Sequence, residues 1–188
     1  MIAVLEDPAI RARVPKVSVD QYHRMYDIES IPQNVELIRG ALIEKMPKSP
    51  LHSSIVELIR EHLAVSLPGN YFIRQEQPIT LCDSEPEPDV AIVRGARREF
   101  LSSHPTTAEL VVEVSISTER LDRAKFEIYA EAGVRECWLL LAEERVVERH
   151  SDPEGNVYRQ MERATFPMKM ESTVFSGLML PPEGLFPA

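Results

Sequence analysis

Long hydrophobic runs are missing from this chain. The apolar stretch Trp138-Leu-Leu-Leu-Ala142 has five residues, far short of the ~20 that a membrane-spanning helix requires. From Met1 to Pro15 the chain carries Glu6, Asp7, Arg11 and Arg13 instead of an apolar core, which excludes a secretory signal. Cysteine is scarce as well. Cys82 and Cys137 stand in strand-like segments without metal-ligand spacing, so reduced, buried thiols are expected rather than a disulfide. These absences together place the protein in the cytoplasm, away from membranes. Basic charge is also in short supply: 21 Lys and Arg face 30 Asp and Glu, a net charge of −9. The extended cationic face that phosphate backbones reward is therefore not expected. Acidic residues gather at 83–89 and 143–154, while Arg94, Arg97 and Arg98 form a local basic group. A bound divalent cation would offset negative charge where it matters. Internal repeats and low-complexity segments are absent.

What is present reads as an ordinary globular composition, 44% hydrophobic and 27% charged. The length fits one domain, with residues 1–17 as a flexible N-terminal tail and 18–188 as the folded unit. Ser18-Val-Asp-Gln21 has the spacing of a capping box and opens a helix running to about residue 28. Val35–Arg39 and Ala41–Met46 read as a hairpin turning at Arg39-Gly40. A helix is expected over His52–Ser66, with Ile55, Leu58, Ile59, His62 and Leu63 on one face and Pro68-Gly69 as its stop. Tyr71–Cys82 reads as one long strand, with a bulge or exposed edge at Pro78. Further strands are expected from Asp89, over 109–114 and over 136–142, with a polar loop holding one helical turn over 95–108. A helix over about 121–132 closes at Gly133. Val146–His150 and Val157–Met161 pair across Asp152-Pro-Glu-Gly155, and the Pro/Gly-rich segment that ends the tail from Thr173 is expected on the surface. The core order is helix, strand, strand, strand, helix, strand. That is an α/β or α+β architecture with a mixed sheet flanked by helices, not a doubly wound fold.

Two carboxylates stand out in this scheme. Asp89 follows Glu85-Pro-Glu-Pro88 at the start of a strand, and Glu113 interrupts the apolar run Leu110-Val-Val-Glu-Val114. A carboxylate in a strand buried on both sides costs several kcal/mol or more unless a proton, a cation or a metal neutralises it. An Asp that merely caps a turn is the competing reading at 89. Lys125 shares a helical stripe with Leu121, Ile128 and Ala132, so it interrupts an apolar face. A snorkelling lysine would explain that, but a lysine aimed at a carboxylate-metal centre explains all three residues together. Glu36, in Val-Glu-Leu-Ile38, is a further acidic candidate, with a solvent-facing strand residue as the alternative. His52 reads as a polar residue at a helix start and is not named a ligand. Ser115, Ser117 and Thr118 are expected to bond the loop backbone, and Trp138 to sit in the core.

The segments Val35-Glu-Leu-Ile-Arg-Gly40, Pro50-Leu-His52, Glu85-Pro-Glu-Pro-Asp-Val-Ala91, Val112-Glu-Val-Ser115, Asp122-Arg-Ala-Lys125, Tyr129-Ala-Glu-Ala-Gly133, Glu136-Cys-Trp-Leu139 and Val174-Phe-Ser-Gly-Leu178 occur in the order found in a large bacterial family called Uma-two. Its members are described as endonucleases of the PD-(D/E)XK restriction-endonuclease-like superfamily, and the chain resembles it from about residue 18 to its end. The resemblance implies a restriction-endonuclease-like core and Mg²⁺-dependent hydrolysis of phosphodiester bonds, with Mn²⁺ as a possible substitute and DNA as substrate. It makes Asp89 and Glu113 metal ligands, joined by the backbone carbonyl of Val114, with Lys125 and Glu36 completing the catalytic set. The superfamily places its lysine two residues beyond the second acid, where Ser115 stands here. In the resembling family the lysine lies on the next helix, as Lys125 does. The loop before Lys125 is shorter than the family's, which would shift the lysine tip, and Ala142 stands where an aspartate is frequent. A homodimer is expected, since hairpin edges need cover. The competing function is a non-catalytic nucleic-acid-binding or assembly module that kept the fold. A third reading is a small-molecule phosphodiesterase.

Overall fold

The structure is a computed structural model that describes residues 7–167, 169–181 and 184–186. Of the tail expected over 1–17, residues 1–6 lie outside the described set, and Pro8–Arg11 makes one helical turn, α1, capped by Asp7. Helix α2 (Val19–Asp27) opens on the Ser18/Gln21 capping box with both reciprocal bonds made. Strands β1 (Val35–Ile38) and β2 (Ala41–Glu44) form the expected hairpin. Its two turn residues, Arg39 and Gly40, both have positive φ, 52° and 76°, which suits the right-handed twist of a two-residue hairpin. A Cβ at Gly40 would sit 2.7 Å from Lys16 Cβ, so the position also needs glycine for space.

Helix α3 (Pro50–Ser66) starts two residues earlier than expected, because Ser49 supplies the N-cap and Pro50 suits the first turn. It buries Ile55, Val56, Ile59 and Leu63, while Leu58, expected on that face, is exposed. The six-stranded sheet runs in the order β3 (Tyr71–Gln75), β4 (Val90–Arg94), β5 (Leu110–Ser115), β6 (Glu136–Leu141), β7 (Val146–Glu154) and β8 (Val157–Thr165). Every pair is antiparallel except β5 with β6, which are parallel and joined by α4 (Glu119–Glu131). The expected core order, mixed sheet and flanking helices are all present.

Alternation sorts the sheet's side chains onto two faces. Val90, Ile92, Leu110, Val112, Val114, Trp138 and Leu140 pack against α3. Ala91, Val93, Val111, Cys137, Leu139 and Leu141 pack against Phe126, Ile128 and Tyr129 of α4. The central strands are buried on both faces, which is why they read as unbroken apolar runs.

Four local expectations are corrected. The strand from Tyr71 ends at Gln75 rather than Cys82, because Glu76 turns the chain at φ 52°; Ile79 and Leu81 are still buried, as loop residues. Cys82 is exposed, and only Cys137 fits the buried-thiol reading. The Pro/Gly-rich end of the tail is not confined to the surface: Leu185 is buried and, with Phe175, Leu178 and Leu180 before it, completes the α3-side core. The last hairpin is also longer than expected, pairing Glu154 with Val157 across Gly155-Asn156.

Candidate active site

The ladder between β4 and β5 runs from Ile92 opposite Leu110 to Val90 opposite Val112. Continuing it by one position would set Asp89 opposite Glu113, so the sheet itself brings the two carboxylates together. The backbone pairing stops there, and the Asp89 side chain takes over: its Oδ2 accepts the amide of Val114 at 2.7 Å. His52, in the first turn of α3, places Nε2 3.2 Å from the same oxygen. Asp89 is therefore not a simple turn cap; it is 8% exposed and joins two elements.

Glu113 is buried in the middle of the sheet, 2% exposed. Its Oε1 accepts the hydroxyl of Tyr129 at 2.7 Å and lies 3.5 Å from Lys125 Nζ. Burial pushes the Glu113 carboxyl up to about 8; Lys125 opposes that rise, and the charges of Asp89, Asp122 and Glu36 add to it. Lys125 is 4% exposed. Its ammonium also sits 3.2 Å and 3.1 Å from the two oxygens of Glu36. Burial alone would lower the lysine, but Glu113, Glu36 and Asp122 outweigh it and keep it charged. Across the shorter loop before α4, the lysine tip reaches both Glu36 and Glu113. The snorkelling reading fails because the ammonium is buried.

Glu36 is buried rather than solvent-facing, at 6% exposure. The hairpin alternates, with Val35 and Leu37 packed on Tyr22 and Ile31, while Glu36 turns the other way toward α4. Burial raises its carboxyl against the opposing charge of Lys125. Its Oε2, although close to Nζ, has no hydrogen-bond donor. Asp122, one turn before Lys125, is buried too and accepts the Thr118 hydroxyl at 2.6 Å. Burial raises its carboxyl, opposed by bonds from Thr118 and Ser115. The Thr118 hydroxyl therefore serves Asp122 and not, as expected, the loop backbone. Helix α4 is fixed to the sheet by Arg123, which grips the buried Glu148 of β7 through two bonds of 2.6 and 2.9 Å.

Glu36, Asp89, Glu113, Asp122 and Lys125 line one cleft of about 140 Å³, with His52 and Val114. Lys45 and Lys48 stand on its hairpin side, but each is paired, to Glu87 at 2.8 Å and to Glu76 at 2.7 Å. His52, Glu76 and Asp89 also bring one possible ligand atom each within 4.8 Å of one another. That grouping is poorly built for a metal. An imidazole that ligates through Nε2 carries its proton on Nδ1, and Nδ1 of His52 is buried without a partner. Burial alone would lower the His52 pKa, but its bond to Asp89 outweighs this and raises it. His52 reads better as a donor that holds Asp89.

The five site candidates, Glu36, Asp89, Glu113, Val114 and Lys125, line this cleft. His52 lines it as well; beside it stand Tyr129, buried in the core behind Glu113, and Asp122, which also lines the cleft. The last two were open to inference, since they fall four after and three before Lys125 on the same helical face.

Among the described residues, no helix is long and apolar enough to cross a membrane. No curated protein matches the chain. A crystal structure titled as that of "a putative nuclease belonging to DUF820 from Anabaena variabilis ATCC 29413" superposes with a TM-score of 0.70 at 16% identity, over 90% of this chain and 97% of that one. That likeness establishes a shared fold. The family model described as "Uma2: Putative restriction endonuclease" matches residues 19–183, and the chain therefore belongs to the Uma2 family, with a restriction-endonuclease-like fold.

Proposed function

We propose that this chain is a metal-dependent nuclease that hydrolyses phosphodiester bonds in DNA, with Mg²⁺, or Mn²⁺ in its place, as cofactor. The observation that carries this reading is the buried set of Glu36, Glu113 and Lys125 beside Asp89 in one cleft. The donor chemistry fits a hard divalent cation, which takes oxygen ligands. Two carboxylates meet at the end of the β4/β5 ladder, burial pushes the Glu113 carboxyl up despite Lys125, and Glu36 Oε2, 3.1 Å from the Lys125 ammonium, has no other partner. Asp89, Glu113 and the carbonyl of Val114 would hold the ion. When bound, it would neutralise phosphate charge and acidify a water.

The chain's own groups do the rest. The Val114 amide and His52 fix the Asp89 carboxylate, so its free lone pairs are aimed before the ion arrives. Lys125, held by Glu36 and Glu113, presents an ammonium to the attacking water or to the phosphoryl oxygens, where charge grows as water adds to phosphorus and the leaving oxygen departs. Glu36 Oε2 is placed to accept a hydrogen bond from that water or to join a second ion. A low-dielectric wall strengthens each of these interactions.

One observation favours a second reading. Lys45 and Lys48, both lining the cleft, are already paired with carboxylates, which leaves a long phosphate backbone little to hold. A substrate with a single phosphodiester, or a module that has kept the fold without catalysis, would tolerate that arrangement. Calorimetric titration of the protein with Mg²⁺ and Mn²⁺ separates the cases. Metal binding with cleavage of DNA supports the nuclease. Binding with cleavage of a small phosphodiester alone supports the second substrate class, and no binding leaves the non-catalytic module.

A further inference from the structure

Tyr129 stands behind the cleft, in the core between α4 and the sheet. It is fully buried, and its hydroxyl donates to Glu113 Oε1 at 2.7 Å. It lies four residues after Lys125, so the two side chains stack on one helical face and address the same carboxylate oxygen. The hydroxyl approaches within a hydrogen bond, while Lys125 Nζ stands back at 3.5 Å and takes Glu36 at 3.2 Å. We infer that Tyr129 is a positioning residue for the proposed metal site: it holds Oε1, fixes the carboxylate plane and leaves Oε2 as the oxygen offered to the cleft. This inference rests on the nuclease reading and adds a residue to it.

The physical case turns on what else could hold Glu113. A buried carboxylate with a rotatable χ3 has two equivalent oxygens, and an ammonium at 3.5 Å is too far to lock either one. The phenol is the short donor, and its ring is fully buried in the α4-side core that also holds Phe126, Val134 and Cys137. It also divides the labour on α4. Because the hydroxyl supports Glu113, Lys125 is spared for Glu36 and the reaction. Outer groups that orient a metal ligand in this way are typically worth ~10- to 100-fold in metal affinity or activity.

A purely structural buried hydrogen bond makes a different prediction, so the test compares two hydroxyls. Tyr129→Phe removes the donor to Glu113. Tyr158→Phe removes a buried-side hydroxyl that donates to the Val134 carbonyl at 2.7 Å, away from the cleft. Both variants are titrated with Mn²⁺ by calorimetry, with melting temperature as a second measurement. The expected result is that both lower the melting temperature, while only Tyr129→Phe weakens Mn²⁺ binding, by ~10-fold or more. Replacing Tyr129 with para-aminophenylalanine, which keeps a donor at that point, should restore the affinity even if Tyr129→Phe proves too unstable to titrate. Equal Mn²⁺ affinity in the parent and Tyr129→Phe, or no recovery with the amino analogue, overturns the inference and leaves the nuclease reading in place. A parent protein that binds no divalent ion takes both down.

Discussion

Asp89 and Val114 share a hydrogen bond that belongs neither to a turn nor to the sheet ladder. The carboxylate accepts the Val114 amide at 2.7 Å, one residue beyond the last paired position of β4 and β5. A single side chain thus closes the sheet edge and presents its remaining lone pairs to the cleft.

This double duty makes the two simplest substitutions differ. Asp89→Asn keeps an acceptor for the amide and should melt within a few degrees of the parent. Asp89→Ala strands a buried N–H and should cost ~1–3 kcal/mol. Thermal unfolding of both checks this, and equal stability would show that the Val114 bond contributes nothing.

Lys125→Met separates packing from charge. On the apolar stripe alone, methionine would fit and stability would hold. The structure reverses that expectation, because the ammonium compensates Glu36 and Glu113 inside the protein. Losing one partner of a buried ion pair typically costs ~3–5 kcal/mol, and protonation of the stranded acids offsets part of it. The metal-free variant should therefore be destabilised, and saturating Mg²⁺ should restore more stability to it than to the parent. A variant as stable as the parent without metal would show that the triad is not a charged cluster.

The metal-free protein should also respond to pH in an unusual direction. Burial raises the folded-state value of Glu113 from 4.5 to about 8. Between those values the native state keeps a proton that the unfolded chain has lost, so stability falls as pH rises through this window and levels off above it. Melting temperature measured from pH 5 to pH 8 should decline from this term, and Glu113→Gln should flatten the decline. A parent protein whose stability climbs steadily over that range, unaltered by Glu113→Gln, contradicts the assignment.

Strand β8 forms one edge of the sheet, with Val157 at 53% and Met161 at 59% exposure. An open nine-residue edge bearing exposed apolar side chains invites a second copy. Light scattering at micromolar concentration should give twice the 21.4 kDa mass of the chain, and Met161→Lys should return it to the monomer. A monomeric parent refutes the dimer.

Much of the site could be read from the chain because burial and charge conflict there. Glu113 and Lys125 break apolar patterns that periodicity fixes, so their positions announced a purpose before any contact was known. The strand at Tyr71 was overextended because Ile79 and Leu81 are buried without belonging to a strand, and apolar content cannot tell a buried loop from a ladder. The Pro/Gly-rich end of the tail misled for the opposite reason. Its prolines and glycines suggested a surface, yet Leu185 is buried and, with Phe175 and Leu178 before it, fills the face that α3 leaves uncovered. His52 was weighed but not named a ligand, and Tyr129 was given no role, because a helix-start histidine and a core tyrosine are both ordinary. Only the distances to Asp89 and Glu113 single them out.

The most direct measurement is cleavage of supercoiled circular DNA by the purified protein with Mg²⁺ or Mn²⁺, beside Asp89→Asn and Lys125→Met. The expected outcome is nicking or linearisation that requires the metal. It should be abolished by Asp89→Asn and reduced by ~10²-fold or more in Lys125→Met at saturating metal, the scale for losing one transition-state contact. Cleavage that persists at the parental rate in Asp89→Asn, or a parent that binds metal and cuts neither DNA nor a small phosphodiester, contradicts the assignment of this cleft as a nuclease centre.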